Sequence, residues 1–392
     1  MAAPVVVLGS GLAGYTLARE FRKLDKETPL VVVSRDHAGY YSKPMLSNAL
    51  AGKKSAASLV MKPAAKMADE LKIEVRERCE VLHIDTAART LRLAAPDGSL
   101  GETVAWRDLV LALGADPIRL PLAGDGAADV LSVNDLDDYG RFVDRLHGAK
   151  RVAILGGGLI GCEFANDLLH SGVAPTVIDP AAGPLSRLLP PAAGERLRRA
   201  LEAAGVAFRF GTAATRVDRA ETGGYRLTLG DGDTLDVDLV LSAIGLRPRI
   251  AAAREAGLAV NRGIVADRYL ATSAPHVWAL GDCAEVDGHT LPYVMPIMQQ
   301  ARALAATLAG THTPVAYPAM PVIVKTPAWP TVVCPPPIDA AGAWQVDESD
   351  AALTARYVGT DGTLLGFALM GTATSQRQAL AAMVPALIGG GG

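Results

Sequence analysis

Cysteine is sparse. The 392 residues hold only Cys79, Cys162, Cys283 and Cys334, and no two of them stand in a CxxC or CxxxxC relation. A redox dithiol of the usual spacing and a zinc ribbon are thereby excluded, and each thiol reads as a small buried hydrophobe. Long apolar runs are also missing, although half of the composition is apolar. Gly, Pro or a charge interrupts each run before the roughly 18 residues that a membrane span needs. Net charge is only −3, from 38 basic and 41 acidic residues, which argues against nucleic acid as the principal partner. There is no room for a secretion signal ahead of the strand-like run at Val5, so a cytoplasmic location is expected. One local absence stands out. From His37 through Ala68 there is no Asp or Glu, while Lys43, Lys53, Lys54, Lys62 and Lys66 all fall there. Such a stretch is either a solvated lysine face or a docking surface for an acidic protein.

Glycine, by contrast, is plentiful at 40 residues, and its spacing carries chemistry. Gly9-Ser10-Gly11-Leu12-Ala13-Gly14 and Gly156-Gly157-Gly158-Leu159-Ile160-Gly161 each follow an apolar run, Val5–Leu8 or Arg151–Leu155, and precede a helix-like segment. In such a turn the first glycine makes the bend, the second lets a pyrophosphate reach the backbone, and the third lets helix and strand pack closely. Free N–H groups at the helix start face the phosphate. Two dinucleotides on one chain are expected. The strands that follow the two turns end differently. Ala174–Asp179 closes on Asp179, whose carboxylate accepts ribose hydroxyls and repels a 2′-phosphate, favouring NAD over NADP. Leu30–Val33 runs into Ser34-Arg35-Asp36, so Ser34 takes the place of the usual carboxylate. Adenosine binding there is expected to use the Ser34 hydroxyl and the backbone or guanidinium of Arg35.

The chain reads as α/β, with two Rossmann-like dinucleotide-binding domains and a small C-terminal α/β domain. Residues 1–116 and 245–315 form the first unit, 117–244 the second and 316–392 the third. The closing runs Asp108–Ala115 and Asp238–Gly245 look like copies of one another, as internal duplication would produce. Val277–Ala284 reads as a strand stopping at Gly281-Asp282, followed by a helix from about Pro296 to Leu308; the first unit is its expected parent. A helix-like stretch from Ser375 to Met383 and a disordered Gly389–Gly392 end the chain.

The two glycine turns, Leu111–Ala115, Ala243–Gly245 and Trp278–Asp282 resemble the pyridine nucleotide-disulfide reductase superfamily, whose fold is glutathione-reductase-like. The resemblance implies FAD at the first turn, NAD(P)H at the second, and Asp282 on the flavin ribityl hydroxyls. It further implies cofactor contacts from Lys43, Pro44, Val81, Ala112 and Gly114, and from Arg119, Gly245, Gly281 and Val294. The segment Tyr41–Asn48 lacks the redox cysteine of the thiol-dependent members, so electrons are expected to leave the flavin directly for a one-electron carrier. Tyr41–Ser47, Leu159–Leu168, Ala259–Val265, Ala279–Gly288 and Met320–Pro327 make the chain most similar to the rubredoxin reductases of bacterial alkane oxidation. That resemblance implies NADH as donor and rubredoxin, a small acidic iron protein, as acceptor. A reductase of ferredoxin or flavorubredoxin and a slow-turnover nucleotide-sensing regulator stand as alternatives. Asn48 occupies the position where dioxygenase ferredoxin reductases carry an active-site lysine.

In related flavoenzymes a glutamate near the second turn lies beside flavin N5 and the nicotinamide. Here it is Glu163, expected on the first turn of its helix, where acids are also favoured by the helix dipole. Lys325 is its expected partner in preference to Lys43, because Lys325 interrupts an apolar strand at Val322–Val324 and a buried charge there needs a counterion. An edge lysine that guards against strand pairing is the plainer reading of Lys325.

Overall fold

The computed structural model describes residues 3–94 and 100–389; the expectation for the terminal glycines falls, from residue 390 onward, outside the described residues. Hydrophobic four-residue runs build the first sheet. Val5–Leu8 lies at its centre, flanked in parallel by Leu30–Val33 and Asp108–Leu111, with Glu74–Arg76 and Val277–Ala279 at the edges. The three inner strands are wholly buried, as expected for a parallel sheet covered on both faces. The helices Leu12–Leu24 and Val294–Leu308 pack together against this core. The second sheet repeats the plan in the parallel order Ala207–Phe210, Ala174–Asp179, Arg151–Leu155, Leu239–Ser242. Each parallel sheet is accompanied by a three-stranded antiparallel one, and a two-stranded ribbon, Ala115–Pro117 with Leu246–Pro248, forms where the chain passes between the two halves.

The last segment is an antiparallel five-stranded sheet in the order Val322–Val324, Thr331–Cys334, Leu364–Gly371, Ala352–Gly359, Gly342–Glu348. Several sequence expectations shift here. The stretch from Ser375 resolves into a 3-10 turn, Thr372–Gln376, and one short helix, Arg377–Ala381, so the helical content of this part is small. The helix expected from Pro296 begins at Val294, with Pro296 in its first turn, where a missing N–H costs nothing. No described helix is long and apolar enough to cross a membrane.

One hydrophobic core is shared among chain segments far apart in sequence. It unites Leu46, Leu50 and Leu59 with Phe142, Cys162, Phe164 and Leu168, and with Val324, Val333 and Met370. Phe142 meets Phe164 edge to face at 5.5 Å. The helix Leu159–Leu169 therefore sits where the three parts of the molecule meet.

Candidate active site

The two glycine turns are stereochemical copies. Gly9 and Gly156 have φ of +118° and +108°, and a Cβ on either would strike a carbonyl oxygen, Ala112 O at 2.2 Å or Ala243 O at 2.7 Å. A Cβ on Gly14 or Gly161 would lie 1.9 Å from the carbonyl oxygen of Gly9 or Gly156. The middle glycines differ: around Gly11 and Gly158 a Cβ would meet nothing within 4 Å. Each is the N-cap of its helix, and no side chain caps it. Open space in front of an uncapped helix start suits a diphosphate, which would take up the free N–H groups. The residues present thus fit a dinucleotide at both turns.

The strand ends divide as their sequences differ. Asp179 accepts from the Gly157 N–H at 2.6 Å and the Ala181 N–H at 2.7 Å, which pins its carboxylate beside the second turn. At the first turn Ser34 is buried, but a carboxylate is present after all. Asp36 folds back so that its Oδ1 accepts from Ser34 Oγ at 2.7 Å, from Ala38 N at 2.8 Å and from Ser10 Oγ at 3.3 Å. Burial pushes the Asp36 acid upward, yet these donors hold it below its ordinary range. Arg35 instead is exposed and faces Asp116 at 3.7 Å. Reading position 34 alone missed Asp36 because its carboxylate reaches the site from two residues farther on.

Gly281, at φ +81°, brings its turn against Ala13, whose Cβ would be 2.8 Å from a Cβ at 281. The Gly281 N–H donates to Gln300 Oε1 at 2.6 Å, and Gln300 Nε2 donates to Tyr317 OH at 2.7 Å. Lys43 Nζ stands 3.9 Å from Asp282 Oδ2. Burial depresses the Lys43 ammonium, and Asp282 opposes that shift. Pro44 follows at the second position of the 3-10 helix Lys43–Asn48. Gly114 and Gly245 have φ of +71° and +124° at the ends of the ribbon strands. Leu12, Leu159 and Ile160 belong to the first turns of the two motif helices, and Val294 opens the helix after Gly281-Asp282. Val81 begins an antiparallel strand and Arg119 is exposed. Among the described residues no side-chain hydrogen bond or ion pair ties either of these two to the glycine turns.

Glu163 is fully buried and is the fifth residue of its helix. It is therefore past the first turn, and the helix dipole does not account for it. Its Oε1 accepts from the Lys325 backbone N–H at 2.9 Å. Its Oε2 accepts from Ser47 Oγ at 2.6 Å and forms an ion pair with Lys325 Nζ. The strand ends at Val324, so Lys325 does not interrupt it. The lysine instead starts the exit loop, with its side chain about a quarter exposed. Two neighbours on the same helix behave similarly. Asn166 Oδ1 accepts from Ala328 N at 3.1 Å, and Asp167 accepts from Leu50 N at 2.8 Å and Ala51 N at 2.9 Å. A signal for these was present: polar residues at positions 163, 166 and 167 share one face of an otherwise apolar helix. Ser47 offered no such signal.

The thiols take no part in this constellation. Burial pushes Cys162 up to about 12, Cys283 and Cys334 up to about 11, and Cys79 upward as well. A thiolate, the reactive form, is suppressed at all four. The lysine segment is also less uniform than its sequence. Lys62 pairs with Glu70 and Lys43 turns toward Asp282, while Lys53, Lys54 and Lys66 are exposed with no ion pair among the described residues.

A family model described as pyridine nucleotide-disulphide oxidoreductase matches residues 3–307, and one described as rubredoxin binding C-terminal domain matches residues 314–384. A rubredoxin-NAD(+) reductase of Alcanivorax borkumensis is 49% identical over 385 residues, covering 98% of this chain and 99% of that protein. A rubredoxin-NAD(+) reductase of Acinetobacter baylyi is 48% identical over 390 residues, 98% of each chain. A crystal structure of a ferredoxin reductase from Rhodopseudomonas palustris, 26% identical, matches with a TM-score of 0.87 over 98% of this chain and 96% of that one. On its two glycine turns, its doubled parallel sheets and these matches, the chain belongs to the pyridine nucleotide-disulphide oxidoreductase family.

Proposed function

We propose that this protein is an FAD-dependent NADH oxidoreductase that passes electrons singly to rubredoxin. The observation that carries the reading is a buried carboxylate, Glu163, held by Lys325 and Ser47 just past the second glycine turn, in a molecule whose four cysteines are all unpaired. Bound FAD supplies the chemistry that accepts a hydride from NADH and releases electrons one at a time. The chain does the rest. The N–H groups behind Gly11 would hold the FAD diphosphate, Ser34 and Asp36 the adenosine end, and Asp282, beside Lys43, the ribityl chain. The N–H groups behind Gly158 hold the NADH diphosphate, and Asp179 takes its ribose and disfavours NADPH. Glu163 fixes Lys325, whose positive charge would favour the reduced, more negative form of a flavin held there. In this reading residues 1–116 and 245–315 carry FAD, 117–244 carry NADH, and 316–392 bring Lys325 to the site and help to receive rubredoxin. A cytoplasmic location goes with these substrates.

Lys53 and Lys54, exposed in the turn that Asp167 anchors, steer the acidic partner. The test is stopped-flow reduction by NADH followed by mixing with purified rubredoxin. Rubredoxin is expected to speed reoxidation far beyond air, and no acceleration would overturn the proposal.

A further inference from the structure

We propose that Asp167 is a positioning residue for the Glu163–Lys325 pair, acting through the backbone of Leu50 and Ala51 and the hydroxyl of Ser47. This rests on the proposed function, in which that pair serves flavin reduction. Asp167 is 2% exposed, and such a carboxylate is costly unless its oxygens are satisfied. Both are satisfied by backbone: Oδ2 by Leu50 N and Oδ1 by Ala51 N. These two amides lie just past the 3-10 helix Lys43–Asn48, which carries Ser47. Ser47 is 3% exposed, and its hydroxyl donates to the same Glu163 oxygen that receives Lys325 Nζ. One helix of the NAD-binding half thus grips the segment 43–51 at two points, Asp167 at its end and Glu163 at Ser47. On its other flank it grips the 325–328 loop, through Glu163 and Asn166.

The geometry sets a direction of dependence. Leu46, Ala49 and Leu50 seat the segment in the shared core, but apolar packing is non-directional and does not fix its height along the helix. The two hydrogen bonds to Asp167 do, because a carboxylate accepts both amides only in one register. Ser47 then meets Glu163 Oε2 at 2.6 Å, and that oxygen is held for Lys325. Asp167→Asn is the informative change. It keeps size and shape but places an amide donor against the N–H of Leu50 or Ala51, so one grip is lost and the segment can slide.

The experiment follows flavin reduction by NADH in stopped flow with wild type, Asp167→Asn, Ser47→Ala and the double variant, together with bound-flavin content and thermal midpoint. Loss of one hydrogen bond to a charged group corresponds to about tenfold in rate. Asp167→Asn is expected to lower the limiting reduction rate about that much per bound flavin, leaving the half-saturating NADH concentration near wild type, since the second glycine turn is untouched. Ser47→Ala is expected to act similarly, and the double variant to be no slower than Asp167→Asn, because both act along one path. A limiting rate equal to wild type in Asp167→Asn with only the midpoint lowered, or single effects that multiply in the double variant, would overturn the inference. If Asp167→Asn does not fold, Ser47→Ala decides: a wild-type rate overturns the inference and a tenfold loss supports it. Wild-type enzyme that NADH fails to reduce overturns the functional reading, whereas a reducible wild type with unaffected variants overturns this inference alone.

Discussion

Replacing Lys325 by Met strips Glu163 of its counter-charge but not of all its hydrogen bonds. The carboxylate is fully buried and keeps the residue-325 backbone N–H at 2.9 Å and Ser47 Oγ at 2.6 Å. Removing one partner of a buried pair costs about 3–5 kcal/mol. The two remaining donors and the partly exposed lysine head place Lys325→Met at the lower end, about 3 kcal/mol. Glu163→Gln should cost less, about 1–2 kcal/mol, because the lysine can turn to water while the glutamine still accepts one bond. The double variant removes both charges, and paired neutral replacements are often close to neutral, so it should recover most of the loss. At about 2 °C for each kcal/mol in a chain of this size, Lys325→Met should melt roughly 6 °C below wild type and the double variant within about 3 °C. Bound-flavin fluorescence during a thermal ramp reads these midpoints. Flavin reduction by NADH should stay slow in all three variants, since recovered stability does not restore the positive charge. A double variant that melts as low as the sum of the singles, or one that reduces its flavin at the wild-type rate, would refute the reasoning.

Gly11→Ala meets no atom within 4 Å and should fold normally, yet lose flavin absorbance because its methyl fills the diphosphate space; Gly14→Ala, whose Cβ would sit 1.9 Å from Gly9 O, should fail to yield folded protein. Asp179→Ala should narrow the preference for NADH over NADPH, read as the ratio of the two kcat/KM values, and an unchanged ratio would exclude this carboxylate from the ribose site. With Cys162 held up near 12 and Cys283 and Cys334 near 11, these thiols are protonated at pH 8. A disulfide reagent should therefore modify at most Cys79 rapidly and leave turnover intact; fast reaction of the buried three would contradict their environment. Lys53→Glu with Lys54→Glu should slow rubredoxin reduction and flatten its salt dependence while flavin reduction by NADH is unchanged, and equal slowing of both half-reactions would remove the docking role.

The geometry of the two glycine turns was fully legible because its physics is local. A glycine that must bend, a glycine that must leave space and a glycine that must let a helix approach lie within six residues of each other, and the preceding apolar run declares a buried strand. The place of Asp179 at the strand end beside the second turn was legible for the same reason. Asp36 was legible only in part, since whether a side chain folds back onto Ser10 and Ser34 depends on the loop to Ala38. The Glu163–Lys325 contact spans 162 positions. Charge and context suggested it, but the stated reason was inexact: the lysine caps a strand exit and does not interrupt the strand.

By itself the sequence determined two α/β units with glycine turns between strand and helix, a strand ending in Asp179 beside the second turn, and the lack of any closely spaced thiol pair. Those properties reside in residue type and short spacing. Tertiary structure decided which polar side chains meet. Ser47, Glu163, Asn166, Asp167 and Lys325 come from three parts of the chain, and a shared apolar core brings them together. Hydrophobic burial gathers these segments without direction, and only the hydrogen-bonding geometry realised after they are packed selects the partners, which is why the polar face at 163, 166 and 167 was legible while its partners other than Lys325 were not.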